Sequence, residues 1–210
     1  MAESQVTLSA FYGISSPWAY LGAERMVAIA KKHGVKLIHR PIRVIQANGG
    51  IPLRTRPDSR QQYHEAELDR WRKYLDIPLN LKPKFYPCRT IETSAQAIIA
   101  LQKAGYDVSG FSFAVQRALW AEDRDIADLA TLKEIAAATL GPEAAELVLE
   151  PQKPDIVAEW ETNLAEAERR GIFGTPTYVV DDELFWGQDR LGFVDRALVS
   201  AKARRQVEEK

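Results

Sequence analysis

One cysteine, Cys88, is all that 210 residues contain. A lone thiol excludes an internal disulfide and removes any need for an oxidising compartment. Long apolar runs are also missing: no stretch approaches the ~20 residues that a helix needs to cross a bilayer. Residues 1–5, MAESQ, do not pair a basic stretch with an apolar one, so no secretory leader is expected. The formal net charge is only −1, which gives nucleic acid or an anionic membrane little to attract. His33, His39 and His64 lack metal-ligand spacing, and one cysteine cannot complete a zinc set, so no metal is expected. The charged tail from Lys202 onward matches no retention or peroxisomal address and is expected to fray. No internal repeat stands out. These absences leave a cytoplasmic globular protein as the simplest expectation.

What is present fits that class. Apolar residues make up 46% and charged residues 27%, ordinary values for a globular chain long enough for one domain with a large insertion. The N-terminal quarter reads strand, helix, strand: residues 6–11, a helix opened by Ser16 and Pro17 and stopped at Gly34, then residues 35–42. Leu21, Val27, Ala28 and Ile29 are expected to form the buried face of that helix. Such an order predicts a parallel pair with a right-handed crossover. Asn48-Gly49-Gly50, Pro52 and Pro57 make residues 44–58 irregular. Helices are then expected at 59–75, 91–103, 111–121, 128–139, 142–149 and 154–170, with a proline-rich loop at 79–87. Beyond Gly174 the period returns to strand: 177–180 and 183–186 flank Asp181-Asp182, a tight hairpin, and a last helix runs over 191–203.

Two segments carry chemistry. Phe11-Tyr12-Gly13-Ile14-Ser15-Ser16-Pro17-Trp18 leads from a strand through a serine into a helix, which places a hydroxyl and unpaired N–H groups where an anion can sit. Gly174-Thr175-Pro176-Thr177 carries a proline whose peptide bond can be cis. Taken alone, Ser16 is a helix cap, Pro176 a strand-start proline, and Asp189 with Arg190 a surface ion pair.

Those segments, with Trp186-Gly187-Gln188-Asp189-Arg190 and the block Tyr63, Glu67, Arg70 and Trp71 before Asp76-Ile77-Pro78-Leu79, resemble one family along nearly the whole chain. It is the kappa-class glutathione transferase and 2-hydroxychromene-2-carboxylate isomerase family of the DsbA-like thioredoxin branch. The resemblance implies an α/β thioredoxin-like fold with a large all-helical insertion. The thioredoxin-like part would be 1–46 with 171–210, and the helical insertion 47–170. It implies glutathione as cofactor and relatives that are usually dimers, hence a homodimer with a small aromatic or electrophilic substrate as partner.

Residue roles follow from the same resemblance. Ser16 would hold the glutathione sulfur as thiolate. Moving a thiol from about 8.5 to about 6.5 takes about 2.7 kcal/mol of preference for the anion, within reach of a charge-assisted hydrogen bond plus a helix dipole. Thr175, beside a cis Pro176, would pair its backbone with the cysteinyl unit. Asp189 would meet the γ-glutamyl ammonium, with Gln188 assisting through backbone or amide and Arg190 alongside. Arg60, where relatives often have lysine, keeps a cation for a carboxylate of glutathione or substrate. Gly50 stands where relatives often carry asparagine, so one side-chain contact is lost or replaced. Trp18 and Tyr86 would wall the substrate pocket, while Cys88 reads as an inert thiol. The reaction implied is thiolate addition, bond rotation and elimination. Conjugation of glutathione to an electrophile and a non-catalytic binding module are the alternatives. Serine in the active turn excludes mixed-disulfide exchange at that position.

Overall fold

The computed structural model describes residues 6–148 and 153–208. Strand β1 (Thr7–Tyr12), helix α1 (Pro17–His33) and strand β2 (Lys36–Pro41) form the expected parallel unit, with Leu8 opposite Leu37. Strands β3 (Thr177–Val180) and β4 (Glu183–Trp186) make the expected hairpin, and Asp181 takes the left-handed turn conformation at φ 51°. Because β3 lies antiparallel to β1, the sheet order is β2-β1-β3-β4. Between β2 and β3 come α2 (Asp58–Leu75), α3 (Glu92–Lys103), α4 (Ser109–Trp120), α5 (Leu129–Leu140), α6 (Pro142–Val148) and α7 (Pro154–Arg169). Helix α8 (Leu191–Glu208) closes the chain. This is a thioredoxin-like α/β sheet carrying a helical insertion. The expected last residue of α6, Leu149, lies outside the described residues.

Strand periodicity explains how the sheet is covered. Leu8, Ala10 and Tyr12 alternate onto one face, joined by Tyr178 and Val180, and share a core with α1, α4 and α8. Phe11 and Val179 point to the other face, where Ile99 of α3 and Trp160 and Leu164 of α7 cover them. Insertion helices therefore contribute to the core on both faces.

Two expectations need correction. Of the face expected for α1, Leu21 is buried as expected, beside the stripe Ala19, Tyr20, Ala23, Met26 and Ala30, whereas Ala28 is exposed and Val27 and Ile29 are only half-buried. Spacing of three and four from Ala19 sets that stripe, and it passes beside the cluster 27–29. The tail also keeps its helix: α8 continues to Glu208 instead of fraying from Lys202. Lys202 donates to the His33 carbonyl at 3.0 Å, a cation at the negative end of α1, and Arg204 pairs with Asp181 at 3.0 Å.

A buried polar cluster links the sheet to α4. The Tyr12 hydroxyl lies 2.9 Å from His39 Nδ1 and 2.8 Å from Ser112 Oγ, while His39 Nε2 lies 3.2 Å from Ser109 Oγ. Burial lowers the His39 pKa to about 4, with Asp107 opposing weakly. In the unfolded chain the ring takes its proton at about 6.5, so the unfolded state binds more protons between those values and stability falls as pH falls. We expect a loss of about 2 kcal/mol from this group between pH 7 and about pH 5. Urea melts at the two pH values read it, and His39→Gln should flatten that part of the slope; an unchanged slope in the variant would refute the assignment.

Candidate active site

The turn after β1 builds the first half of the site. Ser16 caps α1: its Oγ accepts from the Ala19 N–H at 3.3 Å, and Pro17 occupies the first helical position. The Trp18 backbone N–H has no partner among the described residues, and no acidic side chain sits in the first turn. The positive end of α1 thus faces outward with a hydroxyl and a spare donor beside it. The Ser16 hydroxyl also points to the Thr175 carbonyl, 3.5 Å away.

The second half comes from the far end of the chain. The Thr175–Pro176 peptide is cis, Thr177 Oγ1 donates to the Gly174 carbonyl at 2.8 Å, and the Gly187 N–H donates to the Pro176 carbonyl at 2.9 Å. The Thr175 N–H has no partner among the described residues. Gly187 holds φ 100°, a conformation that favours glycine, and turns the chain into the short 3-10 segment Gln188–Arg190 ahead of α8.

A cavity of about 620 Å³ opens between these halves and the insertion. Ser16, Thr175, Gln188, Asp189 and Arg190 line it, as do Arg60, Trp18 and Tyr86. Pro176 stands behind this wall, facing a much smaller void on the α4 side. The Gln188 side chain is buried and accepts a hydrogen bond from Arg25. Asp189 and Arg190 form the ion pair with each other while both line the cavity. Tyr86 packs on Trp120 with ring centroids 4.9 Å apart. Cys88 does not line the cavity, and burial pushes its thiol up to about 11.

Gly50 is sterically closed. A Cβ there would lie 2.5 Å from the Phe173 carbonyl oxygen and 2.7 Å from that of Ile45. The loop is instead tied down by Asn48, whose amide donates to the carbonyls of Glu168 at 2.9 Å and Ile172 at 3.0 Å.

Two contributors were not singled out from sequence. His64 and Arg56 both line the cavity. Arg56 gives its donors to the Ile51 carbonyl, at 3.0 and 2.8 Å, and burial with the neighbouring Arg60 lowers its pKa. His64 accepts from the Trp18 indole, Nε1 to Nδ1 3.3 Å, and burial plus Arg56 lowers its pKa to about 4. The signal for His64 was helical spacing, since Arg60, Tyr63, His64, Glu67 and Trp71 recur on one face of α2 and all line the cavity. Charge balance favours an anion. Glu67 is paired with Arg70 and Asp189 with Arg190, whereas Arg60 has no ion pair among the described residues. No group of three or more histidine, cysteine or acidic side chains is placed to hold a metal among the described residues. No described helix is long and apolar enough to cross a membrane.

Residues 7–199 match the model of the DSBA-like thioredoxin domain. A 2-hydroxychromene-2-carboxylate isomerase from Sphingobium xenophagum is 28% identical over 198 residues, which is 92% of this chain and 98% of that protein. A solved 2-hydroxychromene-2-carboxylate isomerase superposes with a TM-score of 0.76 at 20% identity, covering 97% of this chain and 99% of the other. The cytosolic disulfide reductase DsbM from Pseudomonas aeruginosa, solved with GSH, gives a TM-score of 0.63 at 21% identity over 95% and 99% of the two chains.

Proposed function

Since this chain belongs to the DSBA-like thioredoxin domain family, we propose that it is a cytoplasmic, glutathione-dependent isomerase of the 2-hydroxychromene-2-carboxylate type. The observation that carries the reading is the Ser16 hydroxyl at the open start of α1, 3.5 Å from the Thr175 carbonyl, with serine where a redox protein needs a cysteine. The curated relatives named as such isomerases support the choice of reaction.

The residues fit glutathione. The Thr175 N–H, unpartnered among the described residues, and the Thr175 carbonyl offer a strand-like edge to the cysteinyl unit. Asp189 offers a carboxylate to the γ-glutamyl ammonium, with the Gln188 backbone and Arg190 beside it. Arg60, without an ion pair among the described residues, supplies a cation for a carboxylate. Bound glutathione would supply a thiolate that adds to a conjugated carbon and later leaves, so that a double bond can rotate in between. Ser16 donates to the sulfur whenever it is anionic, before addition and after departure. Trp18 and Tyr86 flank the aromatic ring of the substrate and keep water from the reacting carbon.

The test mixes 2-hydroxychromene-2-carboxylate with the protein and a small amount of glutathione, following the open-chain benzylidenepyruvate by its absorbance and free thiol by titration. Many turnovers per glutathione with constant thiol are expected. Stoichiometric thiol loss would assign conjugation instead, and no turnover with glutathione present would overturn both.

A further inference from the structure

A thiolate at Ser16 would handle one part of the substrate, and α2 lends the same cavity further polar side chains. We infer that His64 of α2 is a hydrogen-bond donor there, presenting Nε2–H to the keto oxygen of an aromatic α-keto acid whose carboxylate meets Arg60. This deepens the glutathione-dependent reading and rests on it.

The geometry begins with Trp18. An indole N–H can only donate, and it lies 3.3 Å from His64 Nδ1, with the rings edge to face at 5.3 Å. A neutral imidazole that accepts at Nδ1 carries its proton on Nε2. Among the described residues the sealed, unpartnered side-chain atoms are Arg25 Nε, Gln116 Oε1 and Trp120 Nε1. His64 Nε2 is not one of them and has no hydrogen-bond partner among the described residues, so it is open to solvent on a ring that lines the cavity. The charged groups around the ring are Arg56 and Arg60 on the cationic side and Glu67, already paired with Arg70. Burial and Arg56 keep the ring neutral, and an imidazolium would lose the acceptor that Trp18 uses.

Substrate class follows from helix spacing. Residues four apart stand about 5–6 Å from each other on one face. Arg60 and His64 therefore offer a carboxylate site and a single N–H donor side by side, the pattern of a carboxylate next to a ketone. When sulfur adds to the conjugated carbon, an electron pair moves onto the keto oxygen; when the carbon–sulfur bond breaks, the pair returns. The proton stays on Nε2 throughout, because a neutral imidazole is a donor and too weak an acid to release it. Neutral histidine plays the same electrophilic part in triosephosphate isomerase.

Three readouts test this on the glutathione-loaded protein. Nitrogen resonances of labelled histidine should place the His64 proton on Nε2 at neutral pH; the opposite tautomer overturns the inference. Benzylpyruvate, a saturated α-keto acid that cannot accept a thiolate, should bind the parent and bind His64→Leu about tenfold more weakly, with His64→Gln in between because its amide can still donate. The carbonyl carbon resonance of bound benzylpyruvate should move downfield in the parent and lose that displacement in His64→Leu. Equal affinity in parent and His64→Leu, or no saturable binding by the parent, overturns the inference. The thiolate absorbance of bound glutathione should be the same in parent and His64→Leu. If that absorbance is absent in both while the benzylpyruvate difference holds, the glutathione reading fails and His64 as keto-acid donor stands.

Discussion

Ser16→Ala is expected to return the thiol of bound glutathione toward its free value of about 8.5 and to lower turnover about 100-fold. A hydrogen bond to a charged acceptor is worth about 1.5–3 kcal/mol, and each ~1.4 kcal/mol is a factor of ten. The helix start remains in the variant, so part of the anion preference should survive. Alanine also removes the Ser16 Oγ to Ala19 cap, at about 1 kcal/mol of stability. Ser16→Gly separates the two effects, since glycine is a tolerable cap without a hydroxyl. It should match alanine in thiol ionisation and stay closer to the parent in thermal melting. Ser16→Thr should keep the thiolate. Ultraviolet titration at the thiolate absorption band reads all three, and parent-like ionisation in both the alanine and glycine variants would sink the assignment.

Gly50→Asn should lower stability by about 3 kcal/mol and weaken glutathione binding at least tenfold. A reading of the sequence against its relatives would expect the opposite, a restored side-chain contact. The structure closes that position with backbone: the Phe173 and Ile45 carbonyl oxygens lie within 2.7 Å of any Cβ there. Carbonyl oxygens cannot swing aside as a side chain can, so the loop must move, at the upper end of overpacking costs. Phe173 moves with it, and Trp186, stacked edge to face on Phe173 at 4.8 Å, follows at the cavity rim. Urea melts and isothermal titration with glutathione measure both effects. A variant as stable as the parent and binding more tightly would show that the loop yields.

How far the sequence was legible depends on the range over which each signal acts. Ser16-Pro17 opening a helix, Gly34 closing it and Asp181 turning a hairpin are local rules, and all three hold. The sheet and its helical insertion followed from the order of elements. Met26 was missed in favour of Ala28 because an apolar cluster in sequence is not a stripe in space; the stripe is fixed by what α4 and α8 present. The tail reads as solvated charge until Lys202 and Arg204 are seen to reach His33 and Asp181. Gln188 shows the same limit, since nothing near it predicts that Arg25 draws its amide inward. His64 was visible as one step of a helical stripe, yet its partner Trp18 lies 46 residues away.

The separation of 159 residues between Ser16 and Thr175 bears on how the protein is made. On the ribosome β1 and α1 emerge first and the insertion helices next, while β1 waits for the strand that pairs with its second edge. If the chain binds glutathione as proposed, the Ser16 turn and the Thr175 edge would come together only near the end of synthesis. A chain that stops before Gly174 would carry half a cradle, so retention on immobilised glutathione would sort finished molecules from prematurely terminated ones.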